Sequence, residues 1–103
     1  MNNKILTTIS TCKKRYEDEG FLISGIFGSY ARGEERPDSD IDVTYKLSND
    51  FINRYNGWDI FQRIDDIRNE IESALGTKID LANENALDKT SRHFIFKEFI
   101  SVA

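Results

Sequence analysis

A chain of 103 residues with no linker rich in glycine, serine or proline has room for one domain, residues 1–103, and one modest core, because small domains bury a smaller share of their surface than large ones. Apolar residues at 39% and charged residues at 31% exclude a disordered chain, and the longest apolar runs, such as Phe21-Leu22-Ile23 and Phe94-Ile95-Phe96, are far too short to span a bilayer. The net charge of −4 argues against strong nucleic-acid binding, which draws on lysine and arginine to neutralise phosphates, but leaves room for a nucleotide that arrives with Mg²⁺.

The opening Met1-Asn2-Asn3-Lys4 lacks the pattern of a signal peptide, so a cytoplasmic protein without membrane contact is expected. Residues 3–18 place Ile5, Ile9, Cys12 and Tyr16 at helical spacing. Cys12 is the single cysteine, so it has no disulfide partner, and its place on this stripe predicts core packing. Gly20 stops the helix. Phe21 to Phe27 reads as a buried strand ended by Gly28, with a short helical turn from Ser29 to Arg32. The polar stretch from Gly33 to Ser39 holds the only proline and predicts an exposed loop.

Asp40 to Leu47 alternates strictly, with Asp40, Asp42, Thr44 and Lys46 on one side and Ile41, Val43, Tyr45 and Leu47 on the other; this is a strand with one polar face. Ser48 to Gly57 is polar and is expected to be irregular. It leads into a helix whose apolar stripe is Ile60, Phe61, Ile64, Ile67, Ile71 and Leu75, capped by Gly76. Trp58 is expected to anchor the start of that helix; stacking on a base or on a partner is the alternative for it and for Tyr55. Lys78 to Ala82 is a short strand with Asp80 opposed to Ile79 and Leu81, and Glu84 to Ile100 reads as a helix burying Leu87, Phe94 and Phe99. The fold class is therefore α/β (α+β): a small mixed β-sheet with helices packed on one face, leaving the other free for a site.

Gly28-Ser29 follows a strand and opens a helical turn, where backbone N–H groups are unpaired and the helix dipole favours an anion. A phosphate fits there: glycine permits close approach and the Ser29 hydroxyl adds a donor. Asp40 and Asp42, two apart on a strand, point their carboxylates to the same side, where like charges repel unless a cation lies between them. Mg²⁺ suits such a pair, because it binds through one or two carboxylates and keeps its other positions for water and substrate phosphates. Asp80, from a separate strand, joins them if that strand lies alongside. Three acids beside a phosphate cradle point to nucleotidyl transfer with two metal ions, in which a hydroxyl attacks the α-phosphate of a nucleoside triphosphate and pyrophosphate leaves. Asp80 then completes the second metal site or accepts the hydroxyl proton.

The run Phe27-Gly28-Ser29-Tyr30-Ala31-Arg32-Gly33, followed by Ser39-Asp40-Ile41-Asp42-Val43, resembles the minimal nucleotidyltransferase family of the polymerase-beta-like superfamily, whose motif is Gly-Ser, ten intervening residues and Asp-x-Asp; here residues 30–39 form the gap of ten. The resemblance implies metal binding by Asp40 and Asp42, phosphate binding by Gly28 and Ser29, and support for Arg32 at the triphosphate; Asp80 rests on the looser Ile-Asp-Leu context. Many such domains are antitoxins encoded beside a helical ribonuclease of the HEPN class, and some transfer AMP from ATP to a tyrosine of that partner. The resemblance thus implies an ATP-using, Mg²⁺-dependent enzyme in a hetero-oligomer with a HEPN-class toxin.

Two other readings compete with it. One is a non-catalytic module that neutralises a partner by occupying its surface; the other is transfer to a small molecule, which generally needs extra structure to hold the acceptor. Among the remaining residues, Arg36 reads as solvated loop charge, Thr44 and Lys46 as phosphate contacts or structural neighbours of the aspartates, and His93, the only histidine, as a helix-surface residue without metal-ligand company.

Overall fold

Apolar patterning of the chain resolves into a four-stranded mixed sheet with helices against one face in a computed structural model, which describes residues 3–102. The Met1-Asn2 start read above for a leader lies outside the described residues, as does Ala103. In chain order the elements are α1 (Asn3–Glu17), β1 (Phe21–Phe27), α2 (Gly28–Arg32), β2 (Ile41–Leu47), α3 (Asn49–Arg54), α4 (Trp58–Leu75), β3 (Ile79–Asn83), a single 3₁₀ turn (Glu84–Ala86), α5 (Lys89–Lys97) and β4 (Ile100–Ser101). The sheet order is β3-β2-β1-β4. β1 runs antiparallel to both β2 and β4, while β2 and β3 are parallel, which is the topology a helical crossover through α3 and α4 requires. No helix among the described residues is long and apolar enough to cross a membrane.

The core lies between the sheet and the α1–α4 layer. Ile9, Cys12 and Tyr16 of α1 meet Phe21, Ile23 and Ile26 of β1, Ile41, Val43 and Tyr45 of β2, and Ile67 and Ile71 of α4, all buried. The alternation expected for β2 is observed on this side, and Cys12 is a packed core residue. Phe21 stacks on Tyr45 with ring centroids 4.7 Å apart. Gly76 ends α4 in the left-handed conformation and donates its N–H to the Glu72 carbonyl. On the other face, β1 leaves room at Gly25: a Cβ there would run into the Phe99 ring and the Ile100 backbone, so glycine is what lets the C-terminal segment lie against β1.

Four expectations are corrected. Residues 48–57 are irregular only at 55–57: Ser48 caps α3 by accepting a hydrogen bond from the Phe51 N–H, and Phe51 is fully buried against Phe21 and Tyr55. Burial of one aromatic ring stabilises a six-residue helix that its polar composition alone would not. Phe61 does not join the stripe of α4; it is 66% exposed, and Trp58, at 85%, anchors nothing in the core. The two rings instead face each other with centroids 5.9 Å apart. The stretch 84–100 is broken, because the Asn83 carboxamide caps a 3₁₀ turn and Asp88 restarts the chain as α5 by accepting from the Ser91 N–H at 2.7 Å. Consequently Phe94 is 69% exposed and α5 buries no residue completely, while Leu87 and Phe99 are half-buried. The chain closes as the edge strand β4, whose successor Val102 enters the core and donates its N–H to the Ser24 carbonyl.

Candidate active site

The open face of the sheet carries the acids, and the parallel ladder decides how they meet. Asp42 is the register partner of Asp80 on β3 and of Phe27 on β1. Residues paired across neighbouring strands sit about 5 Å apart and point the same way, so the strand adjacency that joins Asp80 to the site is present. Asp40 lies one residue before β2, where the Ile41 N–H donates to the Lys78 carbonyl, and it shares the orientation of Asp42 through the period of two.

Asp42 is half-buried and its two neighbours are exposed. Burial first, then the charge of Asp80 and that of Asp40, push the Asp42 carboxyl above the ordinary carboxylate range, with Arg32 acting the other way. None of the three carboxylates has a hydrogen-bond or ion-pair partner among the described residues. No group of three His, Cys, Asp or Glu among them converges to metal-binding distance with the side chains as they stand. A divalent cation fits nonetheless: Mg²⁺ needs only one or two carboxylates, and a site of unpartnered like charges is relieved by one.

Beside Asp42 the chain turns sharply. Gly28 has φ +75°, and a Cβ at this position would collide with the Asp42 carboxylate; the residue type is set both by the left-handed backbone and by the approach of the acid. Gly28 opens α2, whose first-turn N–H groups lack intrahelical acceptors. Ser29 is held by its own carbonyl, which accepts from the Glu34 N–H at 2.9 Å. Thus Gly28, Ser29 and the aspartates come together at one end of the open face.

Arg32 stands at the end of α2, its Nε donating to Glu34 at 3.0 Å and its Nη1 to Glu98 at 3.3 Å, with a side chain 40% exposed. Arg36 is an exposed loop residue whose backbone N–H donates to Ser39 Oγ. Thr44 is fully buried and its hydroxyl donates to the Gly25 carbonyl at 3.4 Å, so it braces strands. Lys46 pairs with Glu84 at 3.7 Å. His93 is exposed and edges onto Phe94, and the half-buried Tyr55 donates its hydroxyl to Glu19.

Glu84 escaped the sequence reading. It is 3% exposed, accepts from Ser24 Oγ at 2.8 Å, and its carbonyl accepts from Arg92 of α5 at 3.0 Å. No local pattern marks it, because it opens the 3₁₀ turn just past β3 and its burial comes from Ser24 across the sheet.

A family model described as polymerase beta, nucleotidyltransferase matches residues 9–102. The chain is 25% identical over 99 residues to the protein adenylyltransferase MntA of Thermococcus cleftensis, covering 94% of this chain and 92% of that protein. It is 32% identical over 62 residues to a candidate protein adenylyltransferase of Methanocaldococcus jannaschii, a match spanning 60% of this chain and only 56% of that protein. Among solved structures, a candidate minimal nucleotidyltransferase superposes with a TM-score of 0.70 at 25% identity, over 97% of this chain and 95% of that one. A complex described as tri-AMPylated Shewanella oneidensis HEPN toxin with MNT antitoxin shares the fold at a TM-score of 0.66 and 16% identity, over 100% of this chain and 72% of that one. With the family model spanning nearly the whole length, and the strand-turn-helix and paired aspartates in register, the chain belongs to the polymerase beta nucleotidyltransferase family.

Proposed function

We propose that this domain is a Mg²⁺-dependent protein adenylyltransferase that moves AMP from ATP to a tyrosine hydroxyl of a HEPN-class partner and thereby acts as its antitoxin. The observation that carries the reading is the in-register pairing of Asp42 with Asp80, with Asp40 on the same side and the Gly28 turn against the Asp42 carboxylate. The names of the relatives support the protein acceptor, since two are adenylyltransferases of proteins and one fold neighbour is a complex with an AMPylated HEPN toxin.

In this reading Asp40 and Asp42 hold Mg²⁺, and Asp80 completes a second ion site or takes a proton. When bound, Mg²⁺ would supply charge neutralisation for the carboxylates and the triphosphate and would favour ionisation of the attacking hydroxyl. The first-turn N–H groups at Gly28 and Ser29, with the Ser29 hydroxyl, grip phosphate oxygens. Arg32 has N–H donors beyond the two engaged by Glu34 and Glu98 and offers them to the triphosphate. The tyrosine oxygen forms a bond to the α-phosphorus as the bond to the bridging oxygen breaks; pyrophosphate leaves with the bond's electron pair, and the hydroxyl proton goes to Asp80 where that carboxylate acts as the base, otherwise to water.

Incubation with ATP labelled in the α-phosphate, Mg²⁺ and a HEPN protein from the same genome is expected to label the HEPN protein and release pyrophosphate. An unlabelled partner, with both proteins folded, would overturn the reading. Asp42→Asn is expected to cut transfer by more than about 100-fold, the upper end of what loss of even an outer-shell metal partner costs, with an unchanged circular dichroism spectrum.

A further inference from the structure

The first turn of α4 holds an aromatic pair on its outer side that the core does not use. Trp58 is 85% exposed and Phe61 66%, with centroids 5.9 Å apart, and neither belongs to the core or to the half-buried residues packed on it. Large apolar side chains left together in water mark contact surfaces, and tryptophan is the residue most enriched where binding energy concentrates.

The patch has a net acidic surround: α3 and α4 carry Asp50, Asp59, Asp65, Asp66, Glu70 and Glu72 against Arg54, Arg63 and Arg68. Asp59 and Asp66 have no cation partner among the described residues, and neither does Asp50 on the adjoining α3. The two arginines of α4 are committed to acids of the fold, Arg63 to Glu19 and Glu70, and Arg68 to Asp65 and Glu72. Isologous pairing of two copies would press these acidic faces together.

Position adds a further argument. β3 starts beyond the C-terminal end of α4 and Asp80 is its second residue, whereas Trp58 begins the helix. At 1.5 Å rise per residue, the two rings lie about 21–26 Å along α4 from its C-terminal end. A contact so far from the reacting atoms serves an acceptor that is itself a folded protein; a nucleotide or small molecule does not reach it.

We propose that Trp58 and Phe61 form the anchor of a docking surface for the acceptor protein, inserting into an apolar groove rimmed by lysine or arginine. This rests on the transfer reading above for the identity of the acceptor. The exposed acids steer a cationic partner, and the aromatic pair supplies the dehydrated contact.

The test pairs the wild type with Trp58→Ala/Phe61→Ala, substitutions at exposed positions that leave the core intact. With the HEPN protein as acceptor, the variant is expected to raise KM for that protein at least about tenfold, with kcat at saturating acceptor and the affinity for ATP unchanged. Raised salt is expected to weaken wild-type binding. Transfer by the wild type with an unchanged KM in the variant overturns the docking surface and leaves the reaction standing. If the wild type transfers no label, the reaction fails and calorimetric binding of the HEPN protein decides the surface: equal affinities for wild type and variant overturn it. Self-association of the wild type that the variant abolishes, seen by sedimentation, also overturns it in favour of a second copy.

Discussion

Asp42 carries two opposed demands. Its carboxylate lies against Gly28 and among Asp80 and Asp40, half out of water, so the folded chain holds its proton more tightly than the unfolded chain does. A raised acid contributes stability that is fully present below the ordinary carboxylate value near 4 and is lost as pH rises through the folded value. At neutral pH the ionised group is therefore a liability to the metal-free domain, kept for its chemistry. Asp42→Asn is expected to raise the melting temperature in EDTA at pH 7, and the gain is expected to shrink as pH falls towards 4. Thermal scans of both proteins across that window check the sign; a variant that melts lower than the wild type throughout would contradict it. The same residue was legible from its neighbours in the chain, because its spacing of two from Asp40 and the ten residues between Ser29 and Asp40 are properties of spacing alone. Glu84 was not singled out, since its burial arises only when Ser24 of β1 meets it across the sheet.

Among the elements, β1 reads true to its ends because a seven-residue apolar run stands between Gly20 and Gly28, and α4 because eighteen residues give periodicity room to show. α3 was hidden for the opposite reason. Six residues, four of them polar, hold no stripe, and what makes them a helix is the Ser48 cap together with Phe51. The Phe51 ring sits 6.0 Å from Phe21 and 4.9 Å from Tyr55, with no exposed surface. Phe51→Ala is expected to cost about 3–5 kcal/mol, the usual toll for deleting a buried phenylalanine. Urea unfolding should show the midpoint falling accordingly; a loss below about 1 kcal/mol would mean that α3 is peripheral to the core. The C-terminal stretch misled for a related reason: the apolar residues of 84–100 satisfy helical spacing, but inward-facing Glu84 and the Asp88 cap divide it, and Phe94 turns to solvent.

At the scale of the whole molecule, three of the 18 acidic residues meet where they do most harm to the empty domain and most good to a loaded one. Three unpartnered aspartates gather at one end of the open sheet face, and only the folded chain brings them together, since Asp80 lies 38 residues beyond Asp42. A cation that binds the folded state and not the unfolded one stabilises by mass action, about 2.7 kcal/mol at a hundred times its dissociation constant. In a domain of this size that raises the melting temperature by roughly 10–20 °C. Mg²⁺ is therefore expected to raise the melting point of the wild type saturably, and KCl at matched ionic strength is expected to raise it far less, because screening alone relieves only the exposed part of the repulsion. Asp42→Asn should start higher in EDTA and respond weakly to Mg²⁺, so the two melting curves should converge or cross as the ion is added. A wild type that answers KCl as strongly as Mg²⁺ would show that the acids feel only ionic strength, and would remove the metal from this end of the sheet.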